Sequence, residues 1–419
     1  MTNFSGLPSQ RSPRSRLVAA LGLVLLMALS ACGGGGGGGG SGAGPGVGAS
    51  TLTSPVPAGS NVQALVVDAG PTGRSVNILY TTVTVCMPGS ANACQVIDHV
   101  IVDTGSSGLR LLAEAFTLPL PAVADSRNQP LLNCAQFIDN SYLWGPVVSA
   151  DLYIAGEKAS NLPLQLAGDN TAPAVPAACS IGGVSKGSIT ALGANGVLGI
   201  GHLLQDCGSA CATQTMNGFY YSASGSAVAD AAVPVSKQIQ QPIALFATNN
   251  NGSIITLPSV PDPGAAVVRG ALVFGIGTQA NNSQSLPNLL AVNRNGYFTT
   301  AYQGRTLSKS FFDSGSNGLF FGVSDFPICA VEWYCPAANT PLQATNTGTN
   351  GVARTANFSV SNAAALFADA SSTAFSTLAA PVGNDVNFDF GLPFFYGRPV
   401  ATAIEGRRTP AAVGPYVAY

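Results

Sequence analysis

A motif of eight residues that occurs twice constrains this chain more than any other feature. Residues 103–110 read Asp-Thr-Gly-Ser-Ser-Gly-Leu-Arg and residues 313–320 read Asp-Ser-Gly-Ser-Asn-Gly-Leu-Phe, so five of eight positions are identical. An apolar pair precedes each copy, Ile-Val in the first and Phe-Phe in the second. A single Asp-Xaa-Gly after a strand is usually a surface turn. Two copies in the same context instead predict two related halves, each presenting an aspartate at the end of a buried strand.

The composition predicts a mainly β protein. Only 9% of the 419 residues are charged, against roughly a quarter in ordinary globular domains, while the chain has 50 Gly and 28 Pro. Residues 62–67, 76–85 and 96–102 are rich in β-branched and aromatic side chains and are bounded by turn residues, as strands are. The roughly 360 residues from 61 onward exceed what one core usually supports, which predicts two lobes.

The N-terminus predicts export and a lipid anchor. Arg11, Arg14 and Arg16 precede an apolar run at 17–29, and Leu-Ser-Ala-Cys at 29–32 is typical of a lipoprotein cleavage site. Residues 1–31 would be removed and Cys32 acylated; the alternative is an ordinary signal peptide with a chance cysteine. The Gly-rich segment 32–60 would be a flexible tether. We expect a monomer in the cell envelope, on the outer membrane, facing the periplasm or the cell surface.

The charge and cysteine content of the chain argue against nucleic acid and metal ions as ligands and favour disulfide bonds. Without residues 1–31 the net charge is about −5, which argues against nucleic acid. The eight cysteines after Cys32 suit disulfides formed outside the cytoplasm. Proximity in sequence pairs Cys86 with Cys94, Cys207 with Cys211 and Cys329 with Cys335, leaving Cys134 with Cys179. The chain has no Cys-Xaa-Xaa-Cys and only two histidines, so neither a metal nor another cofactor is expected.

The repeated motif resembles that of the pepsin-like aspartic peptidases, in which each lobe carries a hydrophobic-hydrophobic-Asp-Thr/Ser-Gly-Ser/Thr loop. Residues 101–106 and 311–316 match it. Residues 196–201, Gly-Val-Leu-Gly-Ile-Gly, are similar to the segment that crosses behind the first loop in this family, and 388–395 are its counterpart. The resemblance implies a two-lobed acid-protease fold with a cleft, with lobes at 61–262 and 263–419.

The resemblance also implies the chemistry, which is hydrolysis of peptide bonds in a peptide or protein substrate. Asp103 and Asp313 would share one proton and activate a water molecule. The family pattern gives a supporting role to Thr104, Gly105, Ser106, Ser314, Gly315 and Ser316. A hairpin flap over the cleft would lie within residues 137–154, with Tyr142 and Trp144 as candidates for its aromatic residue. Arg110 stands where the family often has tryptophan.

Two alternatives to an aspartic peptidase are an inactive binding protein and a serine hydrolase. The stretches 144–147 and 391–398 resemble a group of Gram-negative lipoproteins known only as a domain of unknown function. The alternative is therefore an inactive peptidase-like lipoprotein that binds peptide or envelope polymer. A serine hydrolase would need a histidine base, but we expect His99 and His202 to be structural, and no Gly-Xaa-Ser-Xaa-Gly surrounds Ser106.

Overall fold

The computed structural model describes residues 50–54, 57–283, 289–322, 326–329, 332–383 and 386–419. These residues belong to one compact unit. The predicted signal peptide, the predicted acylation site at Cys32 and the poly-Gly part of the predicted tether lie outside the described residues.

The described residues form strands in all parts of the chain, which confirms the mainly β prediction. In chain order the strands are β1 Thr51–Thr53, β2 Val62–Val67, β3 Leu79–Cys86, β4 Cys94–Asp103, β5 Ser107–Leu112, β6 Leu131–Gln136, β7 Tyr142–Ile154, β8 Glu157–Ala167, β9 Gly196–Ile200, β10 Tyr220–Ser224, β11 Ala227–Asp230, β12 Gly252–Thr256, β13 Val267–Phe274, β14 Leu290–Ala291, β15 Phe298–Tyr302, β16 Arg305–Phe312, β17 Leu319–Phe321, β18 Thr340–Thr347, β19 Ala353–Val360, β20 Ala379–Ala380, β21 Phe388–Phe390, β22 Pro399–Ala403 and β23 Tyr416–Ala418.

Helices in the described residues are short. The α-helices are α1 Ala177–Ser180, α2 Ile189–Leu192, α3 Ser209–Thr213 and α4 Ala363–Leu366, and the 3-10 turns are Ala113–Ala115, Val235–Lys237, Pro242–Leu245, Ala280–Asn282 and Leu392–Phe395. None of the helices in this part of the chain has the length and apolar character needed to span a membrane.

A large sheet contains most strands of the N-terminal half. Its order is β11-β10-β6-β7-β8-β5-β9-β4-β3-β2-β13-β12-β22-β23-β14, with β1 added beside β13. Successive side chains of a strand point to opposite faces of the sheet. In β3, Val83 and Val85 are therefore buried on one face, whereas Thr82 is exposed on the other. Strands from before and after residue 262 join in this sheet, because β12 pairs with both β13 and β22.

A second sheet lies in the C-terminal half, in the order β19-β18-β15-β16-β21-β17-β20. Its core is aromatic. Phe312 at the end of β16 stacks on Phe394, with ring centroids 4.7 Å apart, and also contacts Phe298 and Phe390. Such contacts each contribute about 0.5–1.5 kcal/mol beyond the apolar area that they bury, so the strand that leads to Asp313 is held firmly in place.

The folded body begins before the predicted end of the tether. Strand β1 (Thr51–Thr53) lies inside the segment 32–60, yet it pairs in parallel with β13, and Ser54 is buried. Composition misled the prediction here, because a short edge strand obtains its hydrogen bonds from a distant partner that a Gly-rich sequence does not reveal.

All four disulfides form as proximity predicts. They join Cys86 to Cys94, Cys134 to Cys179, Cys207 to Cys211, and Cys329 to Cys335. The first closes the β3–β4 hairpin, in which the two cysteines are cross-strand partners. The second ties α1 to β6, and this pair encloses the longest loop of the four, with a sequence separation of 45.

Candidate active site

The first Asp loop, residues 103–106, connects two strands that do not pair with each other. Strand β4 ends at Asp103, the chain turns, and β5 begins at Ser107. Strand β9 lies between them, parallel to β4 and antiparallel to β5. Gly199 of β9 allows this close approach, because a Cβ atom there would lie 2.7 Å from the backbone nitrogen of Ser107.

The second Asp loop, residues 313–316, has the same topology. Strand β16 ends at Phe312, β17 begins at Leu319, and β21 lies between them, again parallel to the first and antiparallel to the second. Gly391 occupies the place of Gly199, and a Cβ atom there would lie 2.6 Å from the carbonyl oxygen of Ser316. The duplicated sequence motif is therefore also a duplicated strand arrangement.

Four reciprocal hydrogen bonds join the two Asp loops. The Thr104 hydroxyl donates to the carbonyl oxygen of Phe312 (3.1 Å) and accepts from the backbone N–H of Ser314 (3.0 Å). The Ser314 hydroxyl donates to the carbonyl oxygen of Val102 (2.7 Å) and accepts from the backbone N–H of Thr104 (3.1 Å). Both side chains are buried, so these bonds fix each loop against the other.

Each Asp carboxyl group also has the same two donors within its own loop. Asp103 accepts from the Gly105 N–H (2.7 Å) and the Ser106 hydroxyl (2.5 Å). Asp313 accepts correspondingly from the Gly315 N–H (2.8 Å) and the Ser316 hydroxyl (3.0 Å).

These bonds hold both carboxyl groups at fixed positions. Both residues are buried, since Asp103 is fully buried and Asp313 is only 5% exposed. Every residue that the sequence assigned to the two loops thus lies in one connected cluster.

The two carboxyl groups face each other across the paired loops. A Cβ atom on Gly105 would lie 2.7 Å from Oδ2 of Asp313, and one on Gly315 would lie 2.9 Å from Oδ1 of Asp103. Burial raises the pKa of Asp313 to about 7, with further contributions from the charge of Asp103 and a hydrogen bond to it. Two neighbouring carboxyl groups do not both ionise readily, so the pair retains a proton.

A cavity of about 740 Å³ opens above the pair and is lined by both Asp loops. The tip of the β6–β7 hairpin, residues 137–141, lines another part of it. Phe137 and Ile138 supply apolar surface there, and Ile138 is 55% exposed. The hairpin tip thus lies beside the two Asp loops in the lining of one cavity.

The two aromatic residues that the sequence suggested for the flap lie elsewhere. Neither Tyr142 nor Trp144 is among the described residues that line the cavity. The Trp144 indole donates to the carbonyl oxygen of Pro173 (2.8 Å) and packs edge-on against Tyr221, and Tyr142 packs in the same cluster. Both belong to strand β7 and not to the tip, so the hairpin places its own tip residues over the cavity.

Arg110 lies in the cavity wall in a buried network that the sequence did not predict. Its guanidinium is paired with Asp206 (3.2 Å) and donates to the carbonyl oxygen of Ser107 (2.8 Å). Asp206 also accepts from the Tyr220 hydroxyl (2.5 Å) and the Asn133 amide (2.9 Å). Burial raises the pKa of Asp206, and the charge of Arg110 opposes that rise. No sequence signal links these residues, which come from separate strands and loops.

Asp389 is a further buried carboxyl group at the cavity, and the sequence did not predict its place there either. It lies in β21 between two phenylalanines, is 3% exposed and lines the cavity. Burial raises its pKa well above the ordinary value, and the charges of Asp313 and Asp103 raise it further. The available signal was an acid inside an otherwise apolar strand directly before Gly391.

The two histidines have ordinary surroundings. His99 contacts Asp98 (3.0 Å) and Asp68 (3.4 Å). His202 lines the cavity, and its Nδ1 is bonded to the carbonyl oxygen of Ala403 (2.9 Å). Burial lowers the pKa of His202, which keeps the ring neutral at pH 7.

Comparison with known proteins gives a family without a described reaction. A family model described as "Protein of unknown function (DUF3443)" matches residues 57–419. No curated protein matches the chain. The matched region contains both Asp loops and all described strands from β2 onward.

Proposed function

Because the chain belongs to the DUF3443 family, whose description names no reaction, we propose its function from the chemistry of the site. It is an aspartic-type endopeptidase in which Asp103 and Asp313 activate a water molecule. The observation that carries this proposal is the reciprocal bonding of the two Asp loops, which turns two separate aspartates into one buried pair. A surface turn has no need of such bonds.

The proposal includes a two-lobed, pepsin-like fold with the cavity as its substrate cleft. Support comes from the repeated strand–loop–strand unit, in which β9 and β21 play the same part behind their Asp loops. In this interpretation the N-terminal lobe is 61–262 and the C-terminal lobe is 263–419. Thr104 and Ser314 then join the lobes, and the β6–β7 hairpin is the flap.

The catalytic steps follow from a pair that holds one proton. Asp313 carries the proton, because burial and the charge of Asp103 raise its pKa, and Asp103 acts as the base. Water attacks the peptide carbonyl carbon while Asp103 takes a proton from that water and Asp313 donates its proton to the carbonyl oxygen. The resulting diol returns a proton to Asp313, Asp103 protonates the amide nitrogen, and the C–N bond breaks. The pair ends with one proton, as it began.

The supporting residues stabilise this proton arrangement. Ser106 and Ser316 donate to Oδ2 of their aspartates, and the Gly105 and Gly315 N–H groups donate to Oδ1. Because these donors are already in place, the carboxyl groups need little reorganisation when charge moves during the reaction. Thr104 and Ser314 act as positioning residues through the bonds that join the loops.

We expect the pH profile of peptide hydrolysis to extend to about neutral pH. The raised pKa of Asp313, about 7, keeps its proton in place below that pH, so kcat/KM should fall as the pH rises through about 7. A second protonation of the pair should lower the rate at acidic pH. The measurement is kcat/KM for one peptide from pH 3 to 9; a rate that keeps rising above pH 8 would contradict a protonated Asp313.

The proposed location is the cell envelope, with the protein held by a lipid on Cys32. We expect Cys32→Ala to move the chain from the membrane fraction to the soluble fraction or to leave it unprocessed, because acylation of that thiol precedes cleavage. Fractionation of cells followed by immunoblotting measures this. Ser41→Ala, which lies beyond the cleavage motif, is the matched control. If Cys32→Ala stays in the membrane fraction and has the processed size of the unaltered chain on the blot, the anchor is elsewhere.

A further inference from the structure

Three side chains next to Asp313 form one wall of the cavity. Asp389 of β21 is the direct partner of Phe311 in β16 and of Phe320 in β17. Directly paired residues of adjacent strands project from the same face of a sheet. All three residues line the cavity, so two aromatic rings flank one carboxyl group at this wall.

The carboxyl group of Asp389 is incompletely bonded. Its Oδ1 is buried and has no hydrogen-bond partner among the described residues. The Ser316 hydroxyl, which donates to Asp313, also contacts the Asp389 carboxyl group. A buried acceptor without a donor destabilises the folded protein, because it has lost its hydrogen bonds to water and gained none in return. Such a group persists at a functional site when a ligand supplies the missing donor.

The other acids of the cavity outside the catalytic pair already have partners. Asp206 is paired with Arg110 and bonded to Tyr220 and Asn133. Asp139 accepts from the N–H and hydroxyl groups of Ser141. Within the described lining, Asp389 is therefore the acid beyond the pair that lacks a full set of donors.

The corresponding wall beside the first Asp loop has a different charge. The residues that correspond to Phe311, Asp389 and Phe320 around the first Asp loop are Ile101, Val197 and Arg110, which are joined by the same register. They also line the cavity. The first wall thus holds an arginine that Asp206 neutralises, whereas the second wall holds an acid without a counter-ion. The two ends of a bound peptide would meet different chemistry.

We infer that the wall formed by Phe311, Phe320 and Asp389 is a binding site for a lysine or arginine side chain of the substrate, next to the bond that is cleaved. This inference rests on the proposed peptidase function and specifies its substrate class. The alkyl stem of the cationic residue packs on the aromatic rings, and its nitrogen donates to Asp389. The rings add a cation–π attraction. A cation at this wall also offsets the cost of burying the carboxylate.

The test compares matched peptides with the full chain in detergent solution. Peptides that are cleaved at one bond carry lysine, arginine or norleucine at each position beside that bond. At one of these positions we expect kcat/KM for lysine to exceed that for norleucine by about tenfold or more. Asp389→Asn removes the charge with little change of shape and should abolish this ratio. Asp369→Asn, which changes an exposed acid outside the described cavity lining that is already bonded to Ser371 and Ser372, should leave the ratio unchanged.

A binding measurement separates this inference from the proposed function. Peptides with a reduced, uncleavable bond and either lysine or norleucine are titrated into the unaltered chain. A lysine preference in binding without any cleavage would support the site and contradict the peptidase. Cleavage without a lysine or arginine preference at any position would overturn the site and leave the peptidase standing. If Asp389→Asn does not fold, Asp389→Val, which copies Val197, replaces it; an unchanged lysine preference in either folded variant overturns the inference.

Discussion

Asp103→Asn and Asp313→Asn are each expected to lower kcat for peptide hydrolysis by about 10³- to 10⁴-fold, because positioned acid–base groups contribute rate factors of this size. Asparagine retains the shape of aspartate: its amide oxygen can accept from the same Gly N–H, and the Ser hydroxyl can turn to accept from its NH2 group. It can neither take a proton from water nor donate one as an acid. The measurement is the initial rate on one peptide under single-turnover conditions.

Folding controls make that loss interpretable. Both variants should melt cooperatively near the temperature of the unaltered chain, because asparagine is neutral, has nearly the shape of aspartate and keeps the hydrogen bond from the loop Gly N–H. Asp369→Asn, which changes an exposed acid outside the described cavity lining, should keep nearly full activity. A peptide containing a statine-type hydroxyl should inhibit the unaltered chain, because this hydroxyl takes the place of the attacking water. Activity that survives either Asn substitution would remove that aspartate from the mechanism.

Arg110→Met is expected to lower the free energy of unfolding by about 3–5 kcal/mol, because it leaves the buried Asp206 without its counter-ion. The side chains of both partners are less than a tenth exposed. Without Arg110 the pKa of Asp206 rises further above its ordinary value, so the folded state binds a proton that the unfolded state does not. The loss of stability should therefore be small at acidic pH and grow as the pH rises. Urea unfolding at several pH values measures it.

Two further variants test whether the effect arises from the unpaired charge. Arg127→Met breaks the pair with Asp125, but Arg127 is 70% exposed, so its effect should be below about 1 kcal/mol. Adding Asp206→Asn to Arg110→Met should restore part of the stability, since the buried negative charge is then absent. A double variant as unstable as Arg110→Met alone would show that lost packing, and not charge, causes the effect.

Local signals predicted much of the structure. The strands at 62–67 and 96–102 were found because β-branched side chains and turn residues are properties of neighbouring residues. The same holds for the Cys86–Cys94 and Cys329–Cys335 bonds. The Asp loops were found because the same Asp-Thr/Ser-Gly-Ser pattern occurs at residues 103–106 and 313–316.

What the sequence did not predict depends on contacts between distant residues. Asp206 and Arg110 are 96 positions apart, and no local sequence pattern around either residue predicts that the two form an ion pair. Asp389 looked like one acid in an apolar strand until the register with Phe311 placed it at the cavity. The flap candidates Tyr142 and Trp144 were chosen by residue type, but the face on which a hairpin residue lies depends on the register of the strands.

The measurement that tests the central claim most directly is cleavage of a diverse peptide library by the full chain in detergent, from pH 3 to 8. Mass spectrometry identifies each new carboxyl and amino terminus, and the double variant Asp103→Asn/Asp313→Asn, treated identically, is the control. We predict internal cleavage by the unaltered chain and none by the double variant. A folded, unaltered chain that cleaves no peptide at any pH in this range, or a double variant that cleaves as fast, would contradict the claim that Asp103 and Asp313 hydrolyse peptide bonds.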